Sequence, residues 1–184
     1  MGRSSGGSGG GGSWTYIART TLSAAAASIS FSSLPSSYAS LAFVGLVRGV
    51  NTSLSDILQL ELNGDTSGDY AQYAGLSDSG AGGGQPSVNA GNTVGQIAAV
   101  MGGSAGVGEY SAVNLIMPGY AVASQYKAVT GTVSAFDGVG STTNYQVAVA
   151  CLTARVATAI TAAVFSLAGG NLAAGSSLTV YGLQ

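Results

Sequence analysis

The stretch that decides the fold is Leu58-Gln59-Leu60-Glu61-Leu62-Asn63-Gly64-Asp65. Leucine alternates with a polar residue, so in an extended chain the three leucine side chains point to the same side. This period of two predicts a half-buried β-strand, and Asn63-Gly64-Asp65 is a turn sequence that ends it. We expect the leucines to point to one side of a central strand and to pack on the inward residues of the opposite sheet, with the closing segment 178–181 as a near neighbour.

Similar short apolar segments recur on both sides of this stretch, separated by residues that favour turns. The further predicted strands are 14–21, 29–34, 40–48, 94–101, 109–117, 125–136, 145–154, 159–167 and 177–183. Short strands at such spacing, with Gly-, Asn- and Ser-rich connections, are typical of all-β proteins. The sequence predicts an antiparallel β-sandwich or jelly roll of about eight to ten strands.

Two segments fit this pattern less well. The run Ala24–Ala27 has good helix propensity, but Ser28-Ile29-Ser30-Phe31 resumes a strand pattern directly after it, so a strand is predicted. Residues 75–93 have almost no periodicity. A long insertion of this kind in a compact domain is usually functional or mobile, and a loop is predicted here.

Two of the predicted strands are apolar or small on both faces, at 41–47 and 145–152. An isolated sandwich buries only one face of each strand. Since only 7% of the residues are charged, the second face is expected to be covered by a neighbouring subunit. The sequence therefore predicts a homo-oligomer, and we expect a trimer.

The first thirteen residues are rich in Gly and Ser and are predicted to form an extended arm in front of one domain at 14–184. Such a tract cannot bury enough apolar surface to offset its ordering entropy, so a neighbouring chain is expected to hold it. Trp14 is placed where it could pin the arm to the domain. The predicted partner-binding residues are Gly2, Arg3, Gly6, Gly9, Ser13, Trp14 and Tyr16.

Composition argues against several classes of function. Five Lys and Arg residues in 184, with a net charge of -2, are too few and too scattered to neutralise nucleic-acid phosphates. There is no histidine, which removes the usual general base and the commonest metal ligand. Cys151 lies in an apolar run and is expected to be a buried, inert thiol. We predict no catalytic residues, no metal and no cofactor.

The sequence also lacks the pattern of a membrane or secretory segment. The stretch 157–168 is much shorter than the roughly 20 residues that span a bilayer. Met1-Gly2-Arg3 is followed by a Gly/Ser tract instead of the apolar run of a secretory signal. We expect no membrane contact and synthesis in the cytoplasm.

Two short motifs match known signatures in the wrong context. Gly102–Gly106 fits the G-x-S-x-G nucleophile elbow, which needs a strand-turn-helix setting and a histidine partner. Gly7-x-Gly9-x-x-Gly12 fits the dinucleotide fingerprint, but it lies in a Gly/Ser tract with no strand before it. We interpret both as accidents of a Gly-rich composition.

The carboxylates of Asp65 and Asp69, with Ser67 between them, leave two interpretations open. Their oxygens could wrap a calcium ion, although Tyr70 and Leu76 stand where an EF-hand loop has Gly and Glu. Asp and Asn that cap a hairpin turn are the interpretation we favour. Two interpretations also remain for the nine tyrosines, because tyrosine is common both at sheet edges and on protein- or sugar-binding surfaces.

Three motifs together resemble the β-sandwich virion proteins of tailed bacteriophages. The first is the run 29–41, Ile-Ser-Phe-Ser-Ser-Leu-Pro-Ser-Ser-Tyr-Ala-Ser-Leu, and the second is 58–70, with Leu62-Asn63-Gly64-Asp65 at its centre. The third is the closing segment 165–183, which holds Gly175-Ser176 and Leu178-Thr179-Val180-Tyr181-Gly182-Leu183. In that family, comparable start, hairpin and closing motifs recur around a variable middle.

The resemblance implies a structural or host-contacting component of a virion, with no catalytic residues to carry over. A capsid decoration (cement) protein, bound to the major capsid protein or another virion protein on the outer surface, fits best. A fibre protein normally adds a shaft and an attachment segment to its tip domain, whereas this sequence predicts a single sandwich with a short Gly/Ser arm. The alternative is a carbohydrate- or receptor-binding module of a tail fibre or tail tip. Very low charge and a Gly-rich region at 79–108 set this chain apart from that pattern.

Overall fold

The computed structural model describes residues 13–78, 87–106, 108–137 and 144–184. Within these ranges the chain is all β, and no helix in them could cross a membrane. The strands are β1 (Trp14–Thr21), β2 (Ser28–Phe31), β3 (Ser40–Val47), β4 (Ser55–Leu62), β5 (Tyr70–Asp78), β6 (Ser87–Asn92), β7 (Gly95–Met101), β8 (Ser111–Pro118), β9 (Lys127–Asp137), β10 (Asn144–Ala154), β11 (Ala163–Leu167) and β12 (Ser177–Leu183).

The strands form two antiparallel sheets. The large sheet has the order β1-β12-β3-β8-β9-β10-β5-β6, and the small sheet has the order β2-β11-β4-β7. Three phenylalanines join the sheets: Phe43 of the large sheet contacts Phe31 and Phe165 of the small sheet, with ring centroids 6.0 and 5.1 Å away. The predicted antiparallel sandwich is confirmed, whereas the jelly-roll topology stays a prediction.

The leucine alternation of β4 has the predicted result. Leu58, Leu60 and Leu62 are all fully buried in the core. β4 is an inner strand of the small sheet, between β11 and β7. The closing strand β12 pairs with β1 and β3 in the large sheet, so β4 and β12 lie in opposite layers and are not side by side.

The turn after β4 has the backbone that its sequence demands. Asn63 and Gly64 have φ values of 54° and 73°, and the N–H of Asp65 donates to the carbonyl of Leu62 at 3.0 Å. Positive φ at both central residues is the reason for an Asn-Gly pair. The predicted hairpin is wrong, however, because β4 and β5 belong to different sheets. The chain uses this turn to pass between the layers.

Two further predictions from the sequence are wrong. Ala24–Ala27 forms no strand, because only Ala26 makes a bridge, to Leu172. The segment 75–93 is not a loop throughout, since residues 75–78 belong to β5 and pair with β10, and β6 pairs with β5. Residues 79–86 lie outside the described residues. Small residues hide the period of two in these strands, so their pairing with β10 and with each other was not visible in the sequence.

Candidate functional site

The surface of the large sheet that points away from the small sheet is the broadest candidate site, and we call it the outer face. It consists of alternate residues of six adjacent strands, and the pairing registers place these residues side by side. They are Trp14, Tyr16, Arg19 and Thr21 of β1; Ser177, Thr179, Tyr181 and Leu183 of β12; Ser40, Ala42, Val44 and Leu46 of β3; Ala112, Asn114, Ile116 and Pro118 of β8; Ala128, Thr130, Thr132 and Ser134 of β9; and Val147, Val149, Cys151 and Thr153 of β10.

The outer face carries almost no charge. Arg19, at the β1 edge, is the one charged side chain among these positions. The remaining residues are mainly Thr, Ser, Ala and Val, and Val149 leaves 56% of its surface exposed. A solvated sheet face normally alternates charged and polar residues with the core residues. A broad, uncharged face rich in β-branched residues is instead typical of a surface that packs against protein.

An aromatic cluster occupies one edge of the outer face. Trp14 and Tyr16 each lie edge-on to the ring of Tyr181, with centroid distances of 5.4 and 6.4 Å. Trp14 is 50% exposed and Tyr16 is 62% exposed. Of the predicted partner-binding residues, these two therefore lie on one exposed surface, and Ser13 is exposed just before them. Gly2, Arg3, Gly6 and Gly9 lie outside the described residues.

Cys151 corrects an expectation from the sequence. It belongs to the outer face, opposite Thr130 of β9, and its side chain is partly exposed. The apolar run around it is real, but β10 alternates, so Ala150 and Leu152 enter the core and Cys151 does not. The thiol is therefore not the buried group that the sequence predicted.

Ser104, the serine of the G-x-S-x-G motif, has a structural hydrogen bond. Its hydroxyl donates to the carbonyl of Thr52 at 2.6 Å. The guanidinium of Arg48 holds the same loop, because Nη2 donates to the carbonyls of Gly103 and Ala105 at 3.0 and 2.8 Å. The loop is thus a closed network of donors and carbonyls, and no activated nucleophile is built at Ser104.

The Asp65–Asp69 segment forms a compact turn. Asp65 Oδ1 accepts from the N–H of Ser67 at 3.0 Å, as in an Asx turn. Ser67 Oγ lies 2.5 Å from Asp65 Oδ1 and 3.0 Å from Asp69 Oδ2. Among the residues described, no group of three His, Cys, Asp or Glu side chains is placed to hold a metal ion. These hydrogen bonds are the ones expected for a turn, which is the interpretation that the sequence favours.

A shallow cleft of about 80 Å³ lies beside this turn. Its walls include Gly68, Asp69, Gly91 and Arg155. The cleft has room for a few water molecules only. That volume is far below the few hundred Å³ of a typical ligand pocket, so the cleft does not form a substrate site.

Three buried polar residues were not anticipated from the sequence. Lys127 is only 1% exposed, and its Nζ donates to the carbonyls of Val122 and Gln125 at 2.5 and 2.6 Å. Burial lowers the pKa of Lys127 and raises the pKa of Tyr70 and of Tyr120. A lone lysine at a strand start carries no sequence signal of burial. Lys127, Tyr70 and Tyr120 are buried, so they stabilise the fold and are not accessible to a ligand.

Comparison of the chain with protein-family models, with curated proteins and with solved structures gives no match. The candidate site therefore depends on the geometry of the outer face and its aromatic edge. The signal that could have located this face is the alternation in 111–118 and 127–134, where the residues between the core positions carry no charge and, apart from Ile116 and Pro118, are small or polar.

Proposed function

We propose that the protein is a non-catalytic structural subunit of a virion, a capsid decoration protein that binds protein through its outer face. The observation that carries the proposal is the lack of charge on a six-strand surface with a single arginine at its edge. The resemblance to tailed-phage virion proteins supplies the kind of assembly and the major capsid protein, or another virion protein, as the partner.

The polar groups elsewhere in the described chain support a structural role. Arg48 and Lys127 donate to backbone carbonyls, and the Ser104 hydroxyl does the same. Side chains used in this way stabilise loops and are not free for proton transfer or nucleophilic attack. The chain therefore has a rigid frame and a broad contact surface, which is what a lattice-binding subunit needs.

Decoration would work through many weak contacts. A single contact with the capsid needs only limited affinity, because identical contacts repeated over a closed lattice add up by multivalency. Subunits that cover joints between capsid proteins would add buried area at each joint. The head would then resist internal pressure although each single contact is weak.

The aromatic edge favours a second candidate, a carbohydrate- or receptor-binding module of a phage tail. Trp14 and Tyr16 present exposed rings beside Tyr181. Exposed aromatic rings give rigid contact area with a polar rim and suit sugar rings as well as proteins. This candidate needs only the edge of the outer face.

The location of the protein on particles tests both candidates. Virions from the source of this sequence would be labelled with an antibody against the chain and imaged by electron microscopy. Label over the whole head supports decoration, and label at the tail supports the second candidate. Particles without label contradict both. A glycan array probed with the wild type and with Trp14→Ala adds an independent test, since only a sugar-binding edge would give a signal that Trp14→Ala removes.

A further inference from the structure

The centre of the outer face carries polar side chains without partners. Asn114 and Thr132 are opposite one another in the β8–β9 register, and Thr130 lies one row away. All three are exposed, and none makes a side-chain hydrogen bond to any described residue. Their donors and acceptors are therefore free to bind groups of another molecule, and they surround apolar contacts such as Val44 and Val149.

The charge distribution limits what can cover this face. Arg19 is the one charge at the positions that define it, and it lies at the β1 edge, where its Nε donates to Ser177 Oγ at 2.9 Å. A strongly charged partner would lose solvation here without gaining counter-charges. A second copy of the same face brings neither that penalty nor like charges at its centre.

The size of the outer face suits one side of a stable interface. Six strands spaced about 4.8 Å apart, with about seven residues each at 3.4 Å per residue, span roughly 700 Å². A standard protein interface buries about 800 Å² on each partner. The face is thus large enough for specific self-association if most of it is covered.

We propose that the outer face is a self-association surface, and that its occupant is the outer face of a second copy of this chain. The two copies would be related by a two-fold axis near Asn114 and Thr132, since one patch that binds itself requires that symmetry. This pair differs from the trimer that the sequence led us to expect. The small residues Ala112 and Ala128 let the sheets approach to the usual spacing of about 10 Å. The inference rests on the proposed function and refines it: a second copy would cover the outer face, and the pair would meet the capsid protein through surfaces that the pair leaves exposed.

The single cysteine provides the test, because Cys151 belongs to the outer face and is partly exposed. Purified full-length chain would be treated with an uncharged aromatic disulfide reagent at low- and high-micromolar protein concentration, and the rate of thiol reaction would be followed by absorbance. Sedimentation velocity on the same samples gives the mass. We expect a dimer at high concentration, in which Cys151 reacts about tenfold more slowly than in the dilute monomer.

Charged variants identify the surface. Thr132→Lys places two unpaired charges at the centre of the proposed contact, so it should stay monomeric and react at one rate at all concentrations. Asn114→Lys is a second variant of the same kind. Ser30→Lys is the matched control, since Ser30 is an exposed strand position of the small sheet and should leave dimerisation unchanged. Circular dichroism confirms that each variant is folded.

Three results would overturn the inference: a monomeric wild type at every concentration, a dimer in which Cys151 reacts as fast as in the monomer, or folded lysine variants that both dimerise like the wild type. The particle imaging above separates this inference from the proposed function. A monomer whose Thr132→Lys form no longer labels virions would contradict self-association and leave decoration standing. A wild-type dimer that is absent from virions would support self-association and contradict decoration.

Discussion

The ring of Phe43 on β3 lies edge-on to the ring of Phe165 on β11, with the ring centroids 5.1 Å apart. Both side chains are fully buried, and Phe31 on β2 contacts each of them. β3 belongs to the large sheet and β2 and β11 to the small one. The three rings therefore couple the two layers of the sandwich, and the stability of the whole fold depends on this contact.

Truncation of Phe165 should be among the most damaging changes. Phe165→Ala removes the ring and leaves a cavity between the sheets, so we expect the free energy of unfolding to fall by about 3–5 kcal/mol. Phe165→Leu keeps most of the volume and should cost clearly less. Urea denaturation followed by tryptophan fluorescence measures both, and a loss below about 1 kcal/mol for Phe165→Ala would contradict the role of this contact.

The alternation of β4 predicts unequal costs at neighbouring positions. Leu60 is fully buried, so Leu60→Ala should lower the free energy of unfolding by about 2–5 kcal/mol. Gln59 points to the other side and is only half-buried, so Gln59→Ala should cost less than about 1 kcal/mol. Both would be measured by urea denaturation. A larger cost for Gln59→Ala in the assembled protein than in the free chain would show that a neighbour covers this side too.

Tyr70 should make the fold sensitive to alkaline pH. Burial raises the pKa of its phenol, so the folded chain keeps this proton at a pH where the unfolded chain has lost it. The stability linked to Tyr70 is complete below about pH 10 and is lost as the pH rises through the higher pKa of the folded state. Tyr70→Phe should therefore lose less stability than the wild type between about pH 9 and about pH 11.

The same variant has a cost at neutral pH. The N–H of Leu62 donates to the Tyr70 hydroxyl at 2.8 Å, and Tyr70→Phe leaves this buried donor unpaired. We expect a loss of about 1–3 kcal/mol at pH 7. Tyr126→Phe is the control, because Tyr126 is mostly exposed. The lowered pKa of Lys127 acts alike in all three proteins and cancels from the comparison. Equal alkaline slopes for Tyr70→Phe and the wild type would refute the assignment.

The Asp65–Asp69 turn should depend on hydrogen bonds and not on a metal. Asp65→Ala removes the acceptor for the N–H of Ser67 and should lower the free energy of unfolding by about 0.5–2 kcal/mol, whereas Asp65→Asn keeps an acceptor and should cost less. Thermal melting with and without EDTA tests the alternative. A clear drop in melting temperature with EDTA, reversed by added calcium, would support the calcium interpretation.

The aromatic edge should matter for binding more than for folding. Trp14 is half exposed and Tyr16 is more than half exposed. Each makes one edge-on contact with the ring of Tyr181. Trp14→Ala should cost less than about 1.5 kcal/mol in stability. If the edge belongs to the functional surface, the same variant should reduce the occupancy of the chain on virions in quantitative mass spectrometry. Unchanged occupancy would remove Trp14 from the partner-binding set.

Local patterns were sufficient for the elements with strong alternation. The leucines of β4 predict both the strand and its buried side because the side-chain period of a strand is two. Asn63-Gly64 predicts a turn with positive φ because few other pairs adopt it without strain. Strands that are uncharged and apolar or small on both sides likewise predict a second face that is covered by protein and not by water alone.

Pairing between distant segments was decided only in the tertiary structure. Sequence alone did not show that β12 inserts between β1 and β3, or that the Asn63-Gly64 turn leads to the other sheet. Cys151 was expected to be buried and lies on the outer face, and the burial of Lys127 had no signal in the sequence. The reason is that burial is set by which strands become neighbours, and this choice depends on the packing of the whole core, whereas a local pattern reports only the period of its own backbone.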